Sequence, residues 1–394
     1  MPVNLRSPDG TMARSTIAAS RYDVVIVGAR CAGAATAMLL ARAGRRVLLV
    51  DRGQYGTDTI STHALMRGAV VQLHRWNVLP AVIAAGTPPV RQATFIYGTK
   101  DDSVSVPIKP RDGIDALYAP RRYVLDRLLV DAAVASGAEV AYGVKLEALQ
   151  RSSTGRVTGV VLEDESGAVH HIASDVVVGA DGMRSTVARL VDAQTYRTGQ
   201  HATATLYGHW PGLDVAGYEW YFAPGLSAGA IPTNGGEVCV SLTVHGPEFK
   251  RLFAHQMDAA FHALLFQAAP GLAEQVDRGG RLPLQGFAGH AGFFRQSYGP
   301  GWALVGDAGY FKDPLTAHGI TDALRDAELL ATAIDAGSDD SFAEYQEQRD
   351  DASLEFFQTT DEIASFRWNL SEVRVLHEAM AKSMSREVKQ LVGA

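Results

Sequence analysis

Residues 22–51, YDVVIVGARCAGAATAMLLARAGRRVLLVD, read as a strand, a glycine turn, a helix and a second strand. Residues 22–27 (YDVVIV) are a β-branched run of strand length, and residues 34–43 (AATAMLLARA) have the small and apolar side chains of a buried helix closed by Gly44. Between them lies GARCAG, residues 28–33. Gly28 permits the tight turn, Gly33 lets helix and strand approach, and the helix start, with Cys31 and Ala32, offers unpaired N–H groups to a pyrophosphate. The second run, residues 47–50 (VLLV), ends at Asp51 and Arg52. That is roughly twenty residues after the first glycine, where an acid meets the ribose hydroxyls of a dinucleotide. Arg30 stands where the dinucleotide pattern has its middle glycine, so its side chain becomes a candidate phosphate contact itself. Cys31 reads as a small helix-start filler, with no resolving partner near it in sequence.

Two later strands also end in an acid and a glycine. Residues 175–178 (DVVV) lead into Gly179, Ala180, Asp181, Gly182, Met183, Arg184 and Ser185. Residues 302–305 (WALV) lead into Gly306 and Asp307, then a loop, then Gly319 and Ile320 at the start of a helix over 320–334 with one apolar face. Residues 238–244 (VCVSLTV) alternate as a half-buried strand does.

Composition restricts what such units belong to. With 394 residues, 47% hydrophobic and 20% charged, the chain suits a folded protein of two or three packed units. Its net charge of −7 provides no general field for nucleic acid or anionic membranes. Cys31 and Cys239 have neither a CxxC spacing nor a zinc-like cluster with the 12 histidines, so no metal is expected and a reducing compartment is. Residues 1–20 read as a loose tail without the apolar core of a signal peptide, and no run approaches the ~20 apolar residues of a membrane span. A cytoplasmic protein is the expectation.

The order GxxxxG, then DGxxS, then GD followed by a proline and a glycine before a helix, resembles the FAD-dependent monooxygenases of the para-hydroxybenzoate hydroxylase superfamily. The wording of residues 28–44 and 306–331 is similar to its geranylgeranyl-reductase-related branch, and the resemblance spans roughly residues 21–335. It implies an α/β fold with a Rossmann-like FAD-binding domain of the GR2 type, an inserted β-sheet substrate domain and C-terminal helices. The FAD domain is expected to be discontinuous, over 21–75, 118–195 and 296–350. Residues 76–117 and 196–295 would build the substrate sheet over the flavin, and 351–394 a helical segment on the body or the pocket.

Carried onto this chain, the resemblance implies that Gly28 and Gly33 hold the pyrophosphate, Asp51 the adenosine ribose and Asp307 the ribityl chain. Arg122 would sit beside the flavin, Pro314 and the turn at Gly319 would flank its ring, and Asp181 with Gly182 would support it from a second strand. The helix starting near Gly319 would aim its positive end at the ring. Candidate catalytic residues are Pro314, His318, where many hydroxylases carry glutamine, and His63, in the segment STHAL (61–65) that runs toward the ring. An imidazole of ordinary pKa, about 6.5, would suit proton handling there.

No second strand-linked GxGxxG is found, so NAD(P)H is expected to bind transiently as reductant, or a separate flavin reductase supplies reduced flavin. Residues 227–232 read SAGAIP and not WxWxIP, so halogenation is not expected. The leading expectation is a secondary-metabolism monooxygenase, or hydroxylase. It would insert one oxygen atom of O2 into an aromatic or polyketide-like small molecule through a flavin C4a-hydroperoxide. The alternatives are a flavin-dependent reductase or dehydrogenase of a prenyl-type C=C bond and a non-catalytic FAD-binding protein.

Overall fold

Strands Arg21–Val27 and Val47–Asp51 pair in parallel, Val24 opposite Val47 and Val27 opposite Val50, with nearly every side chain of both buried. Such double-sided burial is what a continuous β-branched run indicates. In this computed structural model, which describes residues 17–253, 256–279 and 283–393, the two strands are the centre of an eight-stranded sheet. Val169–Gly179 and then Trp302–Leu304 extend it in parallel on one side, and Glu139–Tyr142 on the other. The hairpin Val144–Arg151 and Val157–Asp164 continues from Val169–Gly179. Residues 1–16 of the expected tail lie outside the described residues.

The first helix runs Cys31–Arg42 and so starts three residues earlier than expected, inside the glycine turn. It is flanked by helices Arg122–Ala135 and Gly319–Ala336, which share its core of Ala34, Ala37, Met38, Leu129 and Leu324. Small residues along Cys31–Arg42 allow this close approach on several sides at once.

A second sheet has seven strands. Antiparallel strands Thr203–Pro211, Glu237–His245, Leu226–Pro232 and Tyr218–Ala223 form most of it, with Gln285–Phe287 at one edge. Gln92–Tyr97 joins in parallel with Tyr218–Ala223, and Ser103–Pro107 closes the other edge. The two chain pieces expected to form an inserted sheet thus meet in one. Its faces differ with period two. Val238, Val240, Leu242 and Val244 pack with Trp210 under helices Met257–Ala268 and Pro270–Arg278. Ser241 and Thr243, with Thr205, Tyr207, Trp220 and Phe222 of the neighbouring strands, face a large cavity.

Helix Asp339–Ala364 runs through the expected 350/351 boundary, started by a capping box at Ser338 and Ser341. After a bend at Phe366 (φ +52°), the last helix, Leu370–Gly393, packs against it and against helix Arg67–Arg75. Among the described residues no helix is long and apolar enough to cross a membrane.

Candidate active site

The cavity, about 1060 Å³, extends from the glycine turn past the carboxyl ends of the parallel strands to the second sheet and the last helix. The carboxyl ends of such strands are where open α/β sheets take ligands. Gly28 adopts φ +107°, and a Cβ there would lie 2.4 Å from the Ala180 carbonyl oxygen. A Cβ on Gly33 would lie 1.8 Å from the Gly28 carbonyl oxygen. Neither position has room for a side chain.

Arg30 does not reach into the turn. Its guanidinium turns to Asp126 (2.9 Å) and to the Thr57 carbonyl oxygen (2.9 Å). Asp126 also accepts two bonds from Arg122, at 3.2 Å each, and one from the Cys31 thiol at 3.1 Å. Two guanidiniums share one carboxylate, so a positive charge is left over beside the N-terminus of Cys31–Arg42, a setting that suits a diphosphate. Sequence reasoning missed Asp126. Its signal was the i, i+4 spacing from Arg122 on a helix, common enough to pass unnoticed. The Cys31 thiol is pushed up by burial and is inert, in line with a filler.

Asp51 lines the cavity while each of its oxygens accepts a backbone N–H, from Ala29 at 2.8 Å and from Gly53 at 2.7 Å. Gly28, Ala32 and Arg52 line it too. Asp181 lines the cavity with its carboxylate engaged by its own loop, accepting from Ser185 Oγ at 2.5 Å and from the Thr186 N–H at 2.6 Å. Gly182 (φ +79°) presents bare backbone to the cavity.

Gly306 (φ +59°) turns the chain so that Asp307 lies exposed on the cavity. Desolvation there pushes its carboxyl up to about 6, with Arg122 pulling the other way. Among the described residues it has no hydrogen-bond partner. Pro314, Thr316, Ala317, Gly319 and Ile320 line the cavity at the start of the eighteen-residue helix Gly319–Ala336. Asp313 ties this loop to the second sheet, accepting from the Thr203 N–H at 2.6 Å and Thr203 Oγ1 at 2.7 Å.

The candidate catalytic histidines fare differently. His318 is turned away from the cavity into a buried ionic cluster, its Nδ1 3.2 Å from Asp322 and its Nε2 2.9 Å from Glu387 but off the hydrogen-bond line. Lys312 pairs with Asp322 in the same cluster, and Arg325 binds Asp322, Asp326 and Glu387. Burial pulls the His318 pKa down and Lys312 adds to that, but Glu387 and Asp322 more than offset them and hold it above its ordinary value. The ring positions the loop from behind. His63 lines the cavity, in the left-handed region (φ +67°), with its Nε2 3.2 Å from His209 Nε2 and Cys239 close by. Burial, His209 and the guanidiniums of Arg121 and Arg122 hold its pKa well below 6.5, the direction opposite to a titration near neutral pH.

A family model described as FAD binding domain matches residues 21–233, more than half of the chain. The chain belongs to the FAD-binding domain family. Over 93% of its length it is 29% identical to digeranylgeranylglycerophospholipid reductase 2 of Methanopyrus kandleri, covering 91% of that protein. It is 26% identical to the menaquinone reductase of Mycolicibacterium smegmatis over 81% of this chain and 77% of that one. Among solved structures, the flavin-dependent brominase Bmp2 superposes with a TM-score of 0.78 at 20% identity, over 95% of this chain and 93% of that one. PqsL of Pseudomonas aeruginosa, described as a probable FAD-dependent monooxygenase, gives 0.76 at 20%, over 91% and 100%. At such identities these two likenesses bear on the fold alone. The FAD-binding chain is thus an FAD-dependent oxidoreductase whose relatives include reductases. The glycine cradle, the arginine pair on Asp126 and the unpartnered Asp307 all fit FAD.

Proposed function

We propose that this flavoprotein reduces a carbon–carbon double bond in an isoprenoid-type molecule, two electrons and two protons converting C=C to CH–CH. The observation that carries the reading is the apolar chamber between the second sheet and the last helix. Phe95, Trp220 and Phe222 on one side and Met380 and Met384 on the other make a wall suited to a greasy chain and unsuited to water. Curated relatives matched over most of their length are reductases of a digeranylgeranyl lipid and of menaquinone, which supports the same reading.

In this site Gly28 and Gly33 admit the diphosphate of FAD, Arg122 and Arg30 on Asp126 counter its charge, and Asp51 meets the adenosine ribose. Asp307 accepts from the ribityl chain. Bound FAD supplies two-electron transfer at its ring. Pro314, Gly319 and Ile320 fix the edge of that ring, and the helix Gly319–Ala336 directs its positive end there. The chamber walls exclude water from the reacting bond. Electrons come from transient NAD(P)H or from a separate flavin reductase.

An ionised Asp307 is the stronger acceptor, so FAD binding favours loss of its proton. FAD affinity is expected to fall about tenfold as the pH is lowered through about 6. Asp307→Asn should flatten that profile, and a fluorescence titration of the apoprotein at a series of pH values checks it.

A second reading, monooxygenation of an aromatic or polyketide-like molecule, is favoured by the aromatic side chains Tyr97, Phe95, Trp220 and Phe222, which also suit a flat ring. Mass spectrometry separates the two. With chemically reduced enzyme and prenyl substrates under argon, a product two mass units heavier is expected. A product that forms only with O2 and carries one of its oxygen atoms would establish the second reading instead. NAD(P)H turnover with any substrate would dispose of a non-catalytic role.

A further inference from the structure

Besides the hydroxyls of Thr205, Ser241 and Thr243 on the sheet, the chamber wall is polar where the last helix meets strand Gln92–Tyr97. His377, from Leu370–Gly393, lines the cavity with its ring centre 4.3 Å from that of Phe222 and 5.6 Å from that of Phe95. Its Nδ1 is 3.0 Å from the Tyr97 hydroxyl, and among the described residues its Nε2 has no hydrogen-bond partner. A phenol is the better acid and an imidazole nitrogen the better acceptor, so Tyr97 donates to Nδ1 and the ring proton resides on Nε2. Burial lowers the His377 pKa to about 4, so the ring is neutral and Nε2–H is its one donor.

We infer that His377 is the polar anchor of the substrate chamber, its Nε2–H donating to an uncharged oxygen, a hydroxyl or carbonyl, on an otherwise apolar substrate. The inference rests on the isoprenoid reading above and adds the polar end of the molecule to it. A charged head is disfavoured here. Glu378 and Arg374 both line this end of the cavity and offset one another, and Arg374, half exposed over the Tyr97 ring, is directed to Asp102 at 3.4 Å. A neutral imidazole supplies no compensating charge, whereas a neutral oxygen needs one donor and leaves no buried group unpaired. The anchor is also well fixed. Tyr97 stacks on Phe222 with ring centres 5.5 Å apart, and the same strand register that places Phe222 beside Tyr97 holds the hydroxyl against His377.

The test uses FAD-loaded protein and two probes, geranylgeraniol and the matching hydrocarbon without its hydroxyl, with affinities read from the change in flavin absorbance. Wild type is expected to bind the alcohol about tenfold more tightly than the hydrocarbon, the effect of one buried hydrogen bond. His377→Phe should remove that preference while hydrocarbon affinity stays within about twofold. Tyr97→Phe, which keeps the stack on Phe222 but frees the imidazole tautomer, should lose part of the same preference, and it serves alone if His377→Phe does not fold. An undiminished preference in the folded variants would overturn the anchor and leave the isoprenoid reading standing. Failure of wild type to bind either probe would overturn that reading, and the anchor with it.

Discussion

Gly33→Ala is expected to give a folded protein that is colourless as purified. A Cβ at this position would sit 1.8 Å from the Gly28 carbonyl oxygen, with the Ala180 Cβ at 3.0 Å on another side. The turn must open, and with it the array of N–H groups at the start of Cys31–Arg42 on which a diphosphate would rest. Overpacking of this kind costs ~1–3 kcal/mol where the surroundings can shift. Here the obstacle is backbone, so FAD affinity should fall ~10²-fold or more. Flavin absorbance per protein, measured after purification and again after adding excess FAD, checks it. Gly44→Ala is the control. Its Cβ would meet nothing within 4 Å, so it carries only the strain of φ +84° and should keep its colour.

Glu387→Ala should destabilise the fold by about 3 kcal/mol, because it removes one of the carboxylates that compensate the buried Arg325 and His318 and leaves only Asp322 and Asp326 to face them. Glu387 Oε1 binds Arg325 at 2.8 Å and its Oε2 lies 2.9 Å from His318, with all three side chains nearly inaccessible. Urea unfolding midpoints of the FAD-free proteins measure the loss. Glu387→Gln should lose less, since an amide oxygen can still accept from Arg325. The same cluster sets a pH dependence. His318 is held above its ordinary value, so its contribution is complete below that value and is lost as pH rises through the raised one. Burial pushes Glu387 up, but His318 and Arg325 bring it below its ordinary value. Its contribution is therefore complete above the ordinary value and lost as pH falls through the lowered one. In Glu387→Ala both dependences should weaken together.

What could be read from the sequence was what lies in consecutive residues. The unit 22–51 is legible because strand, turn and helix each reveal themselves through neighbours, and the demand on Gly33 comes from the nearby Gly28 carbonyl, whereas the Ala180 carbonyl that crowds Gly28 comes just after a strand far along the chain. Asp307 and the helix after Gly319 are legible for the same reason. The pairing partners were not. Asp126 is an ordinary helix aspartate until the fold brings Arg30 to it from 96 residues away. His209 and Cys239 face each other only because Thr203–Pro211 and Glu237–His245 pair in that register, and a one-residue slip would put them on opposite faces. Glu387 carries no motif, and its role comes from helix packing 62 residues beyond Arg325. The side chain of His318 follows its helix into that cluster, which a family position in a loop could not reveal. Asp181 shows the converse, a motif residue whose nearest donors are simply those of its own loop.

The parallel pairing of Gln92–Tyr97 with Tyr218–Ala223 has a bearing on how such proteins can be re-engineered or can diverge. The second sheet is not a cassette. Two of its strands, Gln92–Tyr97 and Ser103–Pro107, precede Glu139–Tyr142 and Val169–Gly179 of the first sheet, and the rest follow them. A graft that carried only the later segment would leave Tyr218–Ala223 as a bare edge, with Tyr218, Trp220 and Phe222 beside unpaired backbone, a template for aggregation. Substrate preference in this architecture is therefore free to change by substitution within the chamber, at positions such as Phe95, Tyr97 and His377, and is shielded from change by exchange of whole modules.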